Sequence, residues 1–172
     1  LNNLKTITVG EGMEYIGTSA FQSNCSNSIQ SLLTRSDYDT KDPLEKVILP
    51  ESLKGVGSMA FQNVYNSDFE MNLPSGLEFI GISAFSELYF LSGDVDLPEL
   101  RVLGDYAFYG TSVRNIVLHD KLEYVGVGVF VDCPYLHDIT FDYDVFDPSK
   151  HSWWLYGSSG NRNYRLLFGA RY

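Results

Sequence analysis

Ser19 lies in Gly17-Thr18-Ser19-Ala20-Phe21, a Gly-x-Ser setting of the kind from which hydrolases present a nucleophile. That chemistry needs a second glycine two residues past the serine, so that a sharp turn exposes the hydroxyl. Phe21 stands there instead. The stretch also returns, altered, as GSMAF (57–61), GISAF (81–85), GDYAF (104–108) and GVGVF (126–130). Ser83 repeats the serine, but Met59, Tyr106 and Gly128 take the same place elsewhere, so the recurring unit does not require a hydroxyl. His119, His137 and His151 could act as general bases, yet no acid recurs with them to complete a triad. Catalysis is not expected.

Metal chemistry fares no better. Asp94, Asp96, Asp142, Asp144 and Asp147 offer the oxygen ligands calcium takes, but no Asp-x-Asp-x-Asp-Gly loop gathers them. Asp94 and Asp96 alternate along one segment and so point the same way, outward into water. Cys25 and Cys133 lack the Cys-x-x-Cys spacing of a zinc site. No cofactor and no metal is expected.

The recurrence itself says more. Phe21, Phe61, Phe85, Phe108 and Phe130 are separated by 40, 24, 23 and 22 residues, a period in the window of leucine-rich solenoids. The longest step is one period plus an insertion at about 27–43. Upstream of each Phe the apolar positions also recur, as in Leu44, Val47, Leu49, Pro50, Leu53, Val56, Gly57. The consensus is L-x-x-I-x-L-P-x-x-L-x-x-I-G-x-x-A-F. A sixth copy begins at Leu136, Ile139 and Phe141 and then loses the pattern.

Each letter has a physical role. The I-x-L pair has period two and belongs to a short strand with both side chains inward. Proline after it donates no ladder hydrogen bond and ends the strand. L-x-x-I-G is a second extended segment, whose Gly either takes a positive φ or lets backbones approach closely. Ala fits beneath a neighbouring coil, and Phe fills the interior. Coils one strand spacing apart, about 4.8 Å, place successive Phe rings within the range of aromatic pairs. Cys25 and Cys133 fall in the first and fifth coils, roughly 19 Å apart on that spacing. A disulfide is out of reach at that separation, so both are expected to be unpaired, each a small buried hydrophobe.

GTSAF, GSMAF, GISAF and GDYAF, each about a half-period after an I/V-x-L/V pair, resemble BspA-type leucine-rich repeats. The resemblance covers residues 4 to 141 and implies a β-rich solenoid of about five to six coils of 22–24 residues, not a helix-backed horseshoe. It further implies a bacterial surface or secreted protein, extracellular or at the cell surface. Some arrays of this kind are adhesins for host matrix proteins or other cells. The family offers no catalytic motif to carry over. Departures are the insertion, a shortened fourth copy, and Val129 in place of Ala.

The domain reading follows. Residues 1–141 form the solenoid, and 142–172 form a C-terminal capping segment of the same domain. Trp153, Trp154, Leu155, Tyr164, Leu166, Leu167 and Phe168 supply its apolar mass, with GSSGN as a hairpin or short loop. A separate binding site there is the lesser reading. The insertion, with Ile29, Leu32 and Leu33, is a tolerated loop before it is a binding element. The chain opens inside a repeat, without a leader or comparable cap, and is expected to be a fragment or processed form.

Composition sets the partner class. Net charge is −10, from 22 acidic and 12 basic side chains, a surface that repels phosphate backbones and argues against nucleic acid. At 44% apolar the chain can build a core, yet it has no run long enough to span a membrane as a helix. The outward first-segment positions are mixed. On the second segment Tyr15, Gly55, Phe79, Val102 and Tyr124 are expected to face out, and Tyr15, Phe79 and Tyr124 suit contact with a protein or a glycan. The competing reading is that they only cover neighbouring coils. The expected function is non-enzymatic binding or adhesion along an extended repeat face, by a monomer or weak oligomer. The alternatives are a structural spacer, or an accessory array attached to a catalytic domain elsewhere.

Overall fold

Each I-x-L pair becomes a short strand, and each L-x-x-I-G segment a second one, in a computed structural model that describes residues 4–22, 44–64, 70–141 and the backbone of 165–168. The first-segment strands are β1 (Thr6–Thr8), β3 (Lys46–Ile48), β5 (Glu70–Met71), β7 (Ser92–Asp96), β9 (Ser112–Leu118) and β11 (Asp138–Phe141). The second-segment strands are β2 (Tyr15–Ile16), β4 (Gly55–Val56), β6 (Phe79–Ile80), β8 (Val102–Leu103) and β10 (Tyr124–Val125). β12 (Arg165–Phe168) follows in the C-terminal segment.

Pairing is parallel throughout, and each strand meets its counterpart in the next coil except between β5 and β7. The second strands form one five-stranded sheet, in order β10-β8-β6-β4-β2. The first strands form two, β1-β3-β5 and β12-β11-β9-β7. Among the described residues there is no helix. The result is a parallel β-solenoid.

The insertion does not disturb the stack. Thr6 pairs with Lys46 and Lys46 with Glu70 in one register, although 40 residues separate the first two and 24 the second. Residues 27–43 themselves lie outside the described residues, as do Cys25, His151, Trp153, Trp154, Leu155 and Tyr164. The shortened fourth copy is absorbed in a turn. Leu53 and Leu77 donate to the carbonyls of Pro50 and Pro74, whereas Leu100 donates to Leu97. One residue is lost between strand and turn, and the second-segment sheet keeps its register, with Phe79 opposite Val102 and Ile80 opposite Leu103. At the far end β12 adds a parallel strand to β11, with Asp138 opposite Arg165 and Phe141 opposite Phe168.

Many inward positions bury as alternation requires, whereas Val9, Leu49, Met71 and Leu73 are only partly buried against the core. Val47, Val56, Ile80, Leu103, Ile116 and Ile139 are all at most 2% exposed. The Phe rings stack along the axis at centroid separations of 5.2, 5.9, 5.4 and 6.0 Å from Phe21 to Phe130. Cys133 is buried. Its Sγ contacts the Phe108 carbonyl at 3.1 Å, and burial pushes the thiol pKa up.

The joint resolves a choice that the letters leave open. A Cβ on Gly57, Gly81 or Gly104 would stand 2.5–2.7 Å from backbone atoms of the preceding joint, so close approach is what these glycines provide. Positive φ falls two residues later, at Ser19 (55°), Met59 (56°), Ser83 (53°), Tyr106 (55°) and Gly128 (62°). Left-handed backbone there turns the next amides along the axis. Ser83 N donates to Asp105 O at 2.8 Å, and Phe85 N to Ala107 O at 2.9 Å. The joint is thus a third hydrogen-bonded ladder, and the serine is a bend.

Candidate binding face

The five-stranded sheet sits just upstream of these joints, and each of its strands has only two residues. The second is the buried Ile, Val or Leu, so the first must face out. Register aligns these first residues in one row, Tyr15–Gly55–Phe79–Val102–Tyr124. Tyr15 is 61% exposed, Phe79 40% and Tyr124 51%. The other two differ from expectation: Gly55 is buried and Val102 half-buried. A Cβ on Gly55 would stand 2.6 Å from Cδ1 of Tyr15, so the Tyr15 ring lies across that glycine. The row alternates raised aromatic and low residue.

Two of the rings are held. Tyr15 rests over Gly55, and the Tyr124 hydroxyl donates to Asp105 Oδ1 at 3.2 Å. That oxygen also accepts the Val127 amide at 2.9 Å, which fixes the carboxylate. The Tyr124 phenol pKa is raised, first by lost hydration and then by the Asp105 charge.

One residue upstream runs a row that the sequence reading passed over: Glu14, Lys54, Glu78, Arg101 and Glu123. Their backbones are joined coil to coil, each amide donating to the preceding member's carbonyl at 2.8 Å. Their charges alternate. Lys54 Nζ reaches Glu14 Oε1 at 2.8 Å, and Arg101 pairs with Glu123. The Lys54 ammonium pKa is raised, first by its hydrogen bond to Glu14, with Glu78 adding to the effect. These pairs are exposed, and water and salt screen them strongly. The available signal was sign alternation at the repeat period.

The first-segment face is built differently. Lys46 Nζ pairs with Glu70 Oε2 at 2.9 Å, Asn115 donates to Asp94 at 2.7 Å, and His119 Nε2 meets Asp96 Oδ1 at 2.6 Å. A depression of about 310 Å³ over β3 and β5 has Lys46, Ile48, Glu70 and Asn72 in its lining. Lys46 and Glu70 there are already paired to each other, and Glu51 adds a further carboxylate.

Among the described residues the remaining chemical candidates do not converge; Asp142, Asp144 and Asp147 lie outside them. Asp94 and Asp96 are exposed and engaged by Asn115 and His119. His119 follows the C-terminal end of β9, while His137 precedes β11 and donates its amide to Arg114. Among the described residues no group of three or more His, Cys, Asp or Glu could hold a metal ion. No helix there is long and apolar enough to cross a membrane.

Comparison with known proteins agrees with the architecture. A family model for the BspA type leucine rich repeat region matches residues 1–42 and 33–151, in six copies. No curated protein matches the chain. A leucine-rich repeat protein from Bacteroides ovatus ATCC 8483, solved at 1.19 Å, has the same fold with a TM-score of 0.57 and 18% identity. The likeness covers 84% of this chain and 43% of that one, so this chain spans less than half of its structural neighbour. Repeat arrays of this kind are binding or structural modules, and typically non-catalytic. With the repeat, the parallel solenoid and the family match in agreement, the chain belongs to the BspA-type leucine-rich-repeat family.

Proposed function

We propose that this chain is a non-enzymatic binding module of a bacterial cell-surface or secreted protein. Its ligand face is the row Tyr15–Phe79–Tyr124, presented to a protein or glycan partner. The supporting observation is the register: three exposed aromatics share one level of a five-stranded sheet that stacking makes rigid. Anchors held at fixed spacing lose little entropy on binding, so affinity accumulates from several modest contacts. The family is typically surface-associated in bacteria, which supports an extracellular setting.

The test is capture on immobilised matrix proteins and on a glycan array, with the triple variant Tyr15→Ala, Phe79→Ala, Tyr124→Ala as control. Capture is expected to weaken at least tenfold while the circular dichroism melt is retained. Undiminished capture would remove this face from consideration. Absence of saturable binding to either panel favours a spacer role.

A further inference from the structure

The spacing within the aromatic row narrows the ligand class, granted the reading of this face given above. Tyr15, Phe79 and Tyr124 occupy every second strand of the sheet. Along the backbone the anchors are therefore two strand steps apart, about 9.6 Å. The first and last are four steps apart, about 19 Å. We propose that this face binds an extended, neutral, β-1,4-linked polysaccharide lying along the solenoid axis.

The argument is geometric first. In an extended β-1,4 chain each sugar is turned over relative to its neighbour, so one apolar C–H face recurs every second unit. Two such units span close to the interval between the anchors. A ring beneath every second sugar meets the same face each time; of the intervening strands, β8 presents the half-buried Val102, and β4 presents Gly55, which carries the Tyr15 ring. A protein partner favours a contiguous apolar patch with its charges at the rim. Here the aromatics stand on alternate strands, with Val102 between Phe79 and Tyr124 and with Gly55, under the Tyr15 ring, between Tyr15 and Phe79.

Charge agrees. The row Glu14–Lys54–Glu78–Arg101–Glu123 runs one residue from the aromatics and alternates in sign. Lys54 sits between Glu14 and Glu78, and Arg101 is paired with Glu123. Along its length the row offers donors and acceptors in turn while its charges largely cancel. That complements a chain of hydroxyl groups and gives little to a polyanion or polycation. Tyr15 over Gly55 and Tyr124 tied to Asp105 are already placed before any ligand arrives.

The test is isothermal titration of the full chain with cello- and chito-oligosaccharides of two to six units. Maltohexaose and hyaluronan serve as the curled and the charged controls. Affinity is expected to rise with length and level off at about five units, when the ligand reaches the third ring four strand steps away. Phe79→Ala, the central anchor, is expected to weaken the hexamer at least fivefold with the melt unchanged. Phe79→Trp is expected to retain or improve binding. Equal binding of maltohexaose, no length dependence, or no binding of either β-1,4 series overturns the glycan assignment. If matrix protein is captured through the same three residues while both β-1,4 series fail, the glycan assignment falls and the face stands. If the triple variant binds every ligand as well as the native chain does, both fall.

Discussion

A methyl group on Gly81 would stand 2.5 Å from Ser58 N and 2.8 Å from Gly57 C, with backbone on both counts and nothing free to swing away. Overpacking of this kind costs about 1–3 kcal/mol or more, and here the upper end applies because the clash lies between two ladders. Gly81→Ala is therefore expected to destabilise by about 3 kcal/mol in urea denaturation. Two residues on, the sign reverses. Ser83 holds φ 53°, a left-handed conformation that costs a side-chain-bearing residue roughly 1–2 kcal/mol. Glycine relieves that cost but returns roughly 0.4–1 kcal/mol through the freer unfolded chain. Ser83→Gly is expected to gain about 0.5–1 kcal/mol, the difference of the two. A loss on Ser83→Gly would show that the hydroxyl contributes more than the bend costs. The letters could not separate these two places, because Gly opens all five joints, although only Gly57, Gly81, Gly104 and Gly126 meet a neighbouring coil, and it stands at the bend only in the fifth. A residue chosen for its backbone leaves no mark when side chains as different as Ser, Met and Tyr tolerate the same strain.

The strand and the joint act as elements only when stacked. Phe85 is fully buried and stacked on both sides, at 5.9 and 5.4 Å, whereas Phe21 is half-buried and has Phe61 on one side at 5.2 Å. Phe85→Ala is expected to cost about 3–5 kcal/mol, and Phe21→Ala distinctly less. A mid-array gap also weakens the link between neighbouring coils, so Phe85→Ala is expected to broaden the urea transition or split it in two. A single sharp transition at lower urea would mean that the three ladders alone keep the array cooperative. At this scale the sequence was most legible. Strand positions, inward faces and ring spacing all follow from a period that only stacking satisfies. The break of the first-segment strands into two sheets was not legible, because β5 and β7 carry the same I-x-L letters as their paired neighbours. The aromatic row was legible through Tyr15, Phe79 and Tyr124. The burial of Gly55 was not, because it depends on where the Tyr15 ring lies down rather than on alternation.

For the whole molecule, stability is a sum over neighbours, so local opening should follow position along the axis. In the first coil Ile16 is 6% exposed, while its counterparts Val56 and Ile80 in the second and third coils are fully buried, and Ile7 is 7% exposed against 2% at its counterpart Val47. The exposed ion pairs joining the coils, Lys5–Glu45 and Lys54–Glu14 among them, are too weak to offset that gradient. Hydrogen exchange on the 172-residue chain is thus expected to be slowest at Phe61, Gly81, Phe85 and Gly104. Their amides are bonded coil to coil at 2.8–2.9 Å in the middle of the stack. The amides of Val9 and Ser19 also bond to the next coil, at 3.0 and 2.8 Å, yet should exchange well before them, because opening the first coil breaks one interface rather than two. Exchange at one common rate across all these amides would mean that the solenoid opens only globally, with coupling between coils exceeding the difference between its end and its middle.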